Sequence, residues 1–255
     1  MKSMVDRLKE EAQKLKQKGG QKTDGFLKLP KTDDAEVKIR ILPAKNFYSS
    51  SEPNLFYKQF GSHWYNGQNI KCPKLTFNKP CPICEAAKEL RDSGDEESIE
   101  AAKEFAAKKR VWVNVVEVAA DGTLGNPKVF EFGPKLRDNI LSWCVDDDYD
   151  DLSDPEKGYT FRVIKTKKDG FPNYDQSKPV KNSSSIKGEI VDLLERSMDI
   201  HEFIDKSVKS YDEINAIFQL GGGTASTTTE EDTEEINHDE LLAKINSRLK
   251  SDEDE

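Results

Sequence analysis

The cysteine pair Cys81-Pro82-Ile83-Cys84 is the tightest constraint on what this chain can fold into. Two residues between cysteines let both thiolates reach one ion from a single turn. Cys72 lies nine positions before Cys81, and His63 nine before Cys72. One His and three Cys form a complete tetrahedral set, the composition of a structural Zn2+ site with no open coordination position. The stretch HWYNGQNIKCPKLTFNKPCPIC, residues 63–84, is therefore expected to fold around one structural zinc ion. The competing reading is ordinary buried thiols. His63 is favoured as the fourth ligand by proximity, since His201 and His238 lie far along the chain. Cys144, beside Trp143, reads as a core residue. Four unevenly clustered cysteines suit metal ligation in a reducing cytosol better than a disulfide framework.

Charge is distributed unevenly along the 255 residues. Residues 1–22 carry seven basic and three acidic side chains, a net of +4. Residues 224–255 carry eleven acidic and three basic ones, a net of −8. The chain thus divides into a basic arm (1–22), a near-neutral body (23–220) and a linker with an acidic tail (221–255) opened by Gly221-Gly222-Gly223. Only 35% of the chain is hydrophobic, low for a wholly globular protein. No run of about 18 apolar residues predicts a membrane span, and no apolar segment near Met1 predicts a signal peptide.

Within the arm, Val5, Leu8, Ala12 and Leu15 have helical spacing over residues 4–18. The runs 37–43, 111–118 and 128–133 read as strands, 159–170 as a strand entering a turn at Asp169-Gly170, with strand and loop over 46–70. Residues 82–109 read as helix broken near Ser93-Gly94. Residues 135–143, 188–204 and 210–218 read as further helices, and 146–156 as an acidic loop. Ile236, Leu241, Leu242, Ile245 and Leu249 have the spacing of one amphipathic helix in the tail. Short, unevenly spaced strands with helices inserted between them predict an α+β fold. The architecture expected is an OB-fold-like small β-barrel with helical insertions and a zinc-binding subdomain over about 60–110. No strand–glycine loop–helix unit of a nucleotide-binding fold is present.

Aromatic and cationic residues interleave. Tyr57, Lys58, Phe60, Trp64, Tyr65, Lys71, Lys74 and Phe77 surround the ligand loop. Lys108, Lys109 and Arg110 run into Trp112, and Phe130 and Phe132 alternate on one strand. Arg162, Lys165, Lys167 and Lys168 lead into Phe171 and Tyr174. Cations that track phosphates and aromatic faces that stack bases bind single-stranded nucleic acid with little regard to sequence. Alternate strand residues are also the usual core, which claims Phe161 and one of Phe130 and Phe132. Tyr65 and Tyr174, in polar turn-rich settings, are expected at the surface. Arg40, Lys135 and Arg137 complete the candidate contact set.

The segments KIRILPAKN (38–46), the loop bearing His63, Cys72, Cys81 and Cys84, VWVNVV (111–116), KVFEFG (128–133) and DGFPNYDQS (169–177) occur in that order. They resemble the single-stranded DNA-binding (helix-destabilising) proteins of T4-like bacteriophages over roughly residues 36–220. The resemblance implies an OB-fold core with a zinc subdomain and non-enzymatic, cooperative binding of single-stranded DNA. It implies a role in phage replication, recombination and repair, in the cytoplasm of the infected bacterial host. It implies that the arm docks on a neighbouring copy and that the acidic tail recruits replication and recombination proteins. It makes His63, Cys72, Cys81 and Cys84 the zinc ligands, and puts Trp112, Phe171, Tyr174, Lys108, Lys109 and Arg110 at or beside DNA contacts. The spacings from His63 to Cys72 and from Cys72 to Cys81 look shorter than the family's, and the arm lacks the family's compact basic and Ser/Thr motif.

An RNA-binding zinc protein and a zinc-stabilised interaction module are the rival readings. A metal-dependent nuclease is disfavoured because the His/Cys set is saturated and no HExxH or HxE…PCxxC pattern occurs. Asp146, Asp147, Asp148, Asp150 and Asp151 read as a solvated loop.

Overall fold

The computed structural model describes residues 25–220; the expected helices of the arm and of the tail lie outside the described residues. The chain forms two compact units, residues 25–58 with 111–203 and residues 59–110 with 204–220. Among the described residues, no helix is long and apolar enough to cross a membrane.

The first unit is built on a mainly antiparallel sheet. Its strands are β1 (Phe26–Leu27), β2 (Ala35–Ile41), β5 (Lys108–Glu117, of which residues 111–117 belong here), β6 (Lys128–Phe132), β7 (Tyr159–Lys168), β8 (Phe171–Asn173) and β9 (Lys178–Ser183). The order is β1-β6-β5-β2-β7, and β8 and β9 both pair with β7. β1 runs parallel to β6, and the other pairs are antiparallel. The expected barrel does not close. Two-residue β1 ends one side, β8 and β9 end the other, and no described pair joins them. The fold is α+β with an open sheet.

The run expected as a strand at 111–118 lies in β5 through Glu117, and both faces of the strand are buried. Val111, Val113 and Val115 enter one core with Ile39, Ile41, Phe130, Phe132, Phe161 and Val163. On the opposite face, Val116 joins Leu42, Ile186, Ile190 and Leu193, while Asn114 Nδ2 donates to the Met198 carbonyl at 2.8 Å. A strand covered on both sides reads as a continuous apolar run. Helix α4 (Pro134–Cys144) adds Leu136 and Ile140 to the first core. The single helix expected at 188–204 is two, α5 (Ile190–Arg196) and α6 (Ile200–Ser207). Ser197 interrupts them with an extended backbone and caps α5 through its N–H and Oγ.

The second unit holds most of β3 (Tyr57–Tyr65), together with β4 (Gln68–Cys72), α1 (Pro73–Phe77), α2 (Pro82–Asp92), α3 (Glu96–Phe105) and α7 (Tyr211–Leu220). The stretch expected as strand and loop contains a tight hairpin. Asn66 and Gly67, at φ 47° and 71°, form its two-residue turn. Both central positions of such a turn need positive φ, which Asn-Gly supplies. The helix expected at 82–109 splits near Gly94, as anticipated, and ends at Phe105; Lys108, Lys109 and Arg110 begin β5 instead. Asp95 caps α3, accepting from the Ser98 N–H at 2.8 Å, and these Ser98 bonds hold its carboxyl down to about 2.

Candidate functional site

The core of the second unit gathers Ile70, Ile83, Ala86, Ala87, Leu90, Ala101, Ala102 and Phe105 with the ligand loop and part of α7. Set into it are the four predicted ligands. His63 comes from β3, Cys72 from the end of β4, Cys81 caps α2, and Cys84 lies in its first turn. Pro73 and Pro82 start α1 and α2 immediately after a cysteine. Proline fits this first helical position because its missing N–H would lack a helical partner there. Gly61, facing Cys72 across the hairpin, permits the close approach: a Cβ there would lie 2.5 Å from Leu75 Cβ and 2.8 Å from Cys72 Cβ.

His63, Cys72 and Cys81 are buried and Cys84 is half-buried. Their ligand atoms all lie within 4.8 Å of one another. His63 Nε2 is 3.4 Å from Cys81 Sγ and 3.5 Å from Cys84 Sγ, and Cys72 Sγ is 3.5 Å from Cys84 Sγ. Around an ion with Zn–S near 2.3 Å and Zn–N near 2.0 Å, tetrahedral edges are about 3.8 Å for S···S and about 3.5 Å for S···N. The quartet therefore fits one tetrahedral metal ion. The Nδ1 of His63 is 2.8 Å from the Phe105 carbonyl oxygen. An Nδ1–H donated there leaves the Nε2 lone pair for the ion, the usual outer support of a metal-binding imidazole.

The sulfur crowding makes the same demand. Hydrogen bonds from Cys81 and Cys84 push the Cys72 thiol down from its ordinary value. Hydrogen bonding to Cys72 and Cys81 and burial push the Cys84 thiol up. Without a cation the sulfurs share negative charge poorly; a bound ion removes that conflict.

The predicted nucleic-acid contacts separate into interior and surface residues. Arg40 is fully buried. Its guanidinium donates to the carbonyls of Ile41 at 3.0 Å and Ser184 at 3.1 Å, and to those of Leu152 and Asp154. Burial lowers its pKa to about 10, against the opposing charges of Asp151 and Asp154. Arg40 is a structural clamp and is corrected out of the contact set. Tyr65, expected at the surface, is buried against Phe105 and Phe218 and donates to the Phe218 carbonyl at 2.9 Å. Trp112 is 4% exposed, stacked on Phe203 at 5.6 Å with its Nε1–H on Glu131 at 2.7 Å. Phe132 is core. The residues next to Tyr65 and Trp112 in the sequence gave no sign of these distant aromatic partners.

The remaining candidates reach solvent. Lys108, Lys109 and Lys135 are exposed; Lys58, Lys71, Arg110 and Arg137 are half-buried. In the first unit, Asp169 and Gly170, at φ 51° and 81°, turn β7 into β8. Phe171, at that turn, is 71% exposed. Lys167 meets Asp33 at 3.4 Å, and Lys165 donates to the Thr32 carbonyl at 2.8 Å. Tyr174 is half-buried against the first core. Trp64, among the aromatics around the ligand loop, is 68% exposed on β3. Its neighbours His63 and Tyr65 turn inward, but Phe60 and Ser62 on its own face are buried too, so alternation alone does not mark it.

Residues 33–219 match the family described as gp32 DNA binding protein like. The chain belongs to that family. It is 30% identical over 222 residues to the single-stranded DNA-binding protein of Enterobacteria phage T4, covering 78% of this chain and 70% of the relative. It is 29% identical over 221 residues to the corresponding phage T2 protein, with the same coverage. The matched segment spans both the His/Cys quartet and the β7–β8 turn that presents Phe171.

Proposed function

We propose that this gp32-like chain binds single-stranded DNA without sequence preference, as a non-enzymatic protein of phage DNA replication, recombination and repair in the infected bacterial cell. The observation that carries the reading is the family match, whose T4 and T2 relatives are single-stranded DNA-binding proteins. Support comes from the surface set Lys58, Lys71, Lys108, Lys109, Arg110, Lys135, Arg137, Lys165, Lys167, Phe171 and Tyr174, which supplies cations for phosphates and ring faces for bases.

The ion in the His63/Cys72/Cys81/Cys84 quartet is Zn2+, with a structural role; three thiols and an imidazole suit zinc, and no ligand position is left for water. It adds stability to the lobe whose hairpin and helices carry the four ligands. The family resemblance further assigns residues 1–22 to cooperative contact with a neighbouring copy, residues 23–220 to the DNA-binding body, and residues 221–255 to recruitment of replication and recombination proteins. The tail's net −8 also suits it to compete with DNA for cationic surface.

The test is fluorescence anisotropy of labelled oligo(dT) with the full chain, competed by unlabelled single-stranded DNA, matched RNA and duplex DNA. The reading predicts saturable binding, competed by single-stranded DNA of any sequence and weakly by duplex. Tighter competition by RNA would make the chain an RNA-binding protein. An absence of binding would leave a zinc-stabilised interaction module.

A further inference from the structure

The β3–β4 hairpin has two faces of different chemistry. Gly61, His63, Tyr65, Ile70 and Cys72 belong to the inner face, with the metal ligands. Phe60, Ser62, Trp64, Asn69 and Lys71 belong to the other face, where Phe60 and Ser62 are buried and Trp64, Asn69 and Lys71 reach solvent. Trp64 pairs directly with Asn69, and Ser62 with Lys71. Asn69 Oδ1 accepts from Ser62 Oγ at 2.9 Å and from Lys71 Nζ at 3.1 Å. Lys71 Nζ also sits 4.2 Å from the Phe60 ring centroid, a cation–π contact. The ammonium is thus held in place on the strand next to an indole that is 68% exposed.

The surrounding charge selects the occupant. Residues 57–80 contain four lysines, Lys58, Lys71, Lys74 and Lys79, and no Asp or Glu. Residues 85–104, on and between α2 and α3, contain eight acidic and three basic side chains. An exposed aromatic in an acid-free, lysine-bearing stretch matches a polyanion with flat rings. The two-residue Asn66-Gly67 turn and the inward ligands His63 and Cys72 fix the strands that carry it, so little ordering is left for binding to impose.

We infer that Trp64 is a base-stacking residue for single-stranded DNA on the metal-bearing lobe, with Lys71 contacting the adjoining phosphate. This assignment rests on the function proposed above. A stacked base shields the indole, and Asn69, whose oxygen is already engaged, keeps its amide N–H groups for a base or phosphate oxygen.

The test compares the full-length wild type with Trp64→Ala and Trp64→Phe in binding a short oligo(dT) and poly(dT) at fixed salt. Trp64→Ala is expected to weaken binding to the short oligomer by roughly 5- to 100-fold, the range for loss of one stacked base. Trp64→Phe is expected to recover most of that loss. Melting temperatures of all three should agree, since the indole is at the surface. Wild-type binding with an unchanged Trp64→Ala affinity overturns the inference and leaves the proposed function standing. An effect confined to the steepness of poly(dT) binding overturns it too, because Trp64 would then meet a second copy of the chain. Failure of the wild type to bind either ligand overturns both.

Discussion

The Nδ1 of His63 and the carbonyl oxygen of Phe105 are 2.8 Å apart, which ties the ligand strand to the last turn of α3. The backbone bond fixes the ring, and the ring aims Nε2 at Cys81 and Cys84. Ligand quartet, hairpin and helix are thus tied together, and an ion held by the quartet would lock them into one mechanical unit. Stripping the ion, or Cys81→Ser, is expected to remove at least ~4 kcal/mol of stability. For a chain of this size that lowers Tm by roughly 8–16 °C. Thermal unfolding with and without a strong chelator checks it, alongside elemental analysis giving one zinc per chain. An unchanged Tm after verified metal loss contradicts the structural role.

Gly61→Ala probes the packing behind the quartet. The added methyl meets Leu75 and Cys72, both fixed by α1 and the hairpin. Overpacking of this kind costs about 1–3 kcal/mol. The strain falls on a ligand-bearing residue, so metal transfer to a chromophoric chelator should quicken as well. Transfer at the wild-type rate would show that the hairpin yields without disturbing Cys72.

Arg40→Ala is expected to destabilise by about 3–5 kcal/mol, because it strands the buried carbonyl of Leu152 and removes a second bond from that of Asp154, which keeps only the Gly158 N–H. Arg40→Lys should recover little, since one ammonium cannot reproduce the planar fork. Urea denaturation measures both. A variant of wild-type stability with weakened DNA binding would restore Arg40 to the contact set.

The contrast between Arg40 and the quartet shows what was legible in the sequence. The ligands were readable because Cys81 and Cys84 are neighbours in the chain, with Cys72 and His63 close behind, so a local pattern carries the geometry. The strands VWVNVV and KVFEF were readable from composition, and Asp169-Gly170 marked a turn. Which face of a strand meets water is not local. β5 lies between two cores, so Trp112 and Asn114 are buried by Phe203 and Met198, about 85–90 residues away. Arg40 is satisfied by the carbonyls of Ser184, Leu152 and Asp154, each more than 100 residues distant, besides that of Ile41, and Tyr65 by Phe218. Barrel closure was equally illegible, because it depends on pairing between sheet edges as short as Phe26–Leu27.

Phe171→Ala tests the surface of the first unit. The ring is 71% exposed beside the Asp169-Gly170 turn. Its loss should weaken oligo(dT) binding by about 5- to 100-fold, with Tm unchanged. Anisotropy titration and a thermal melt separate the two effects. Equal affinity would remove this hairpin from the DNA path.

The most direct test of single-stranded DNA binding is the affinity of the full chain for oligo(dT) measured over a series of salt concentrations. Each phosphate neutralised by a lysine or arginine contributes about −0.7 to the slope of log K against log salt. The account predicts saturable binding with a steep negative slope, reporting several such contacts. No binding at low salt, or an affinity indifferent to salt, would contradict it.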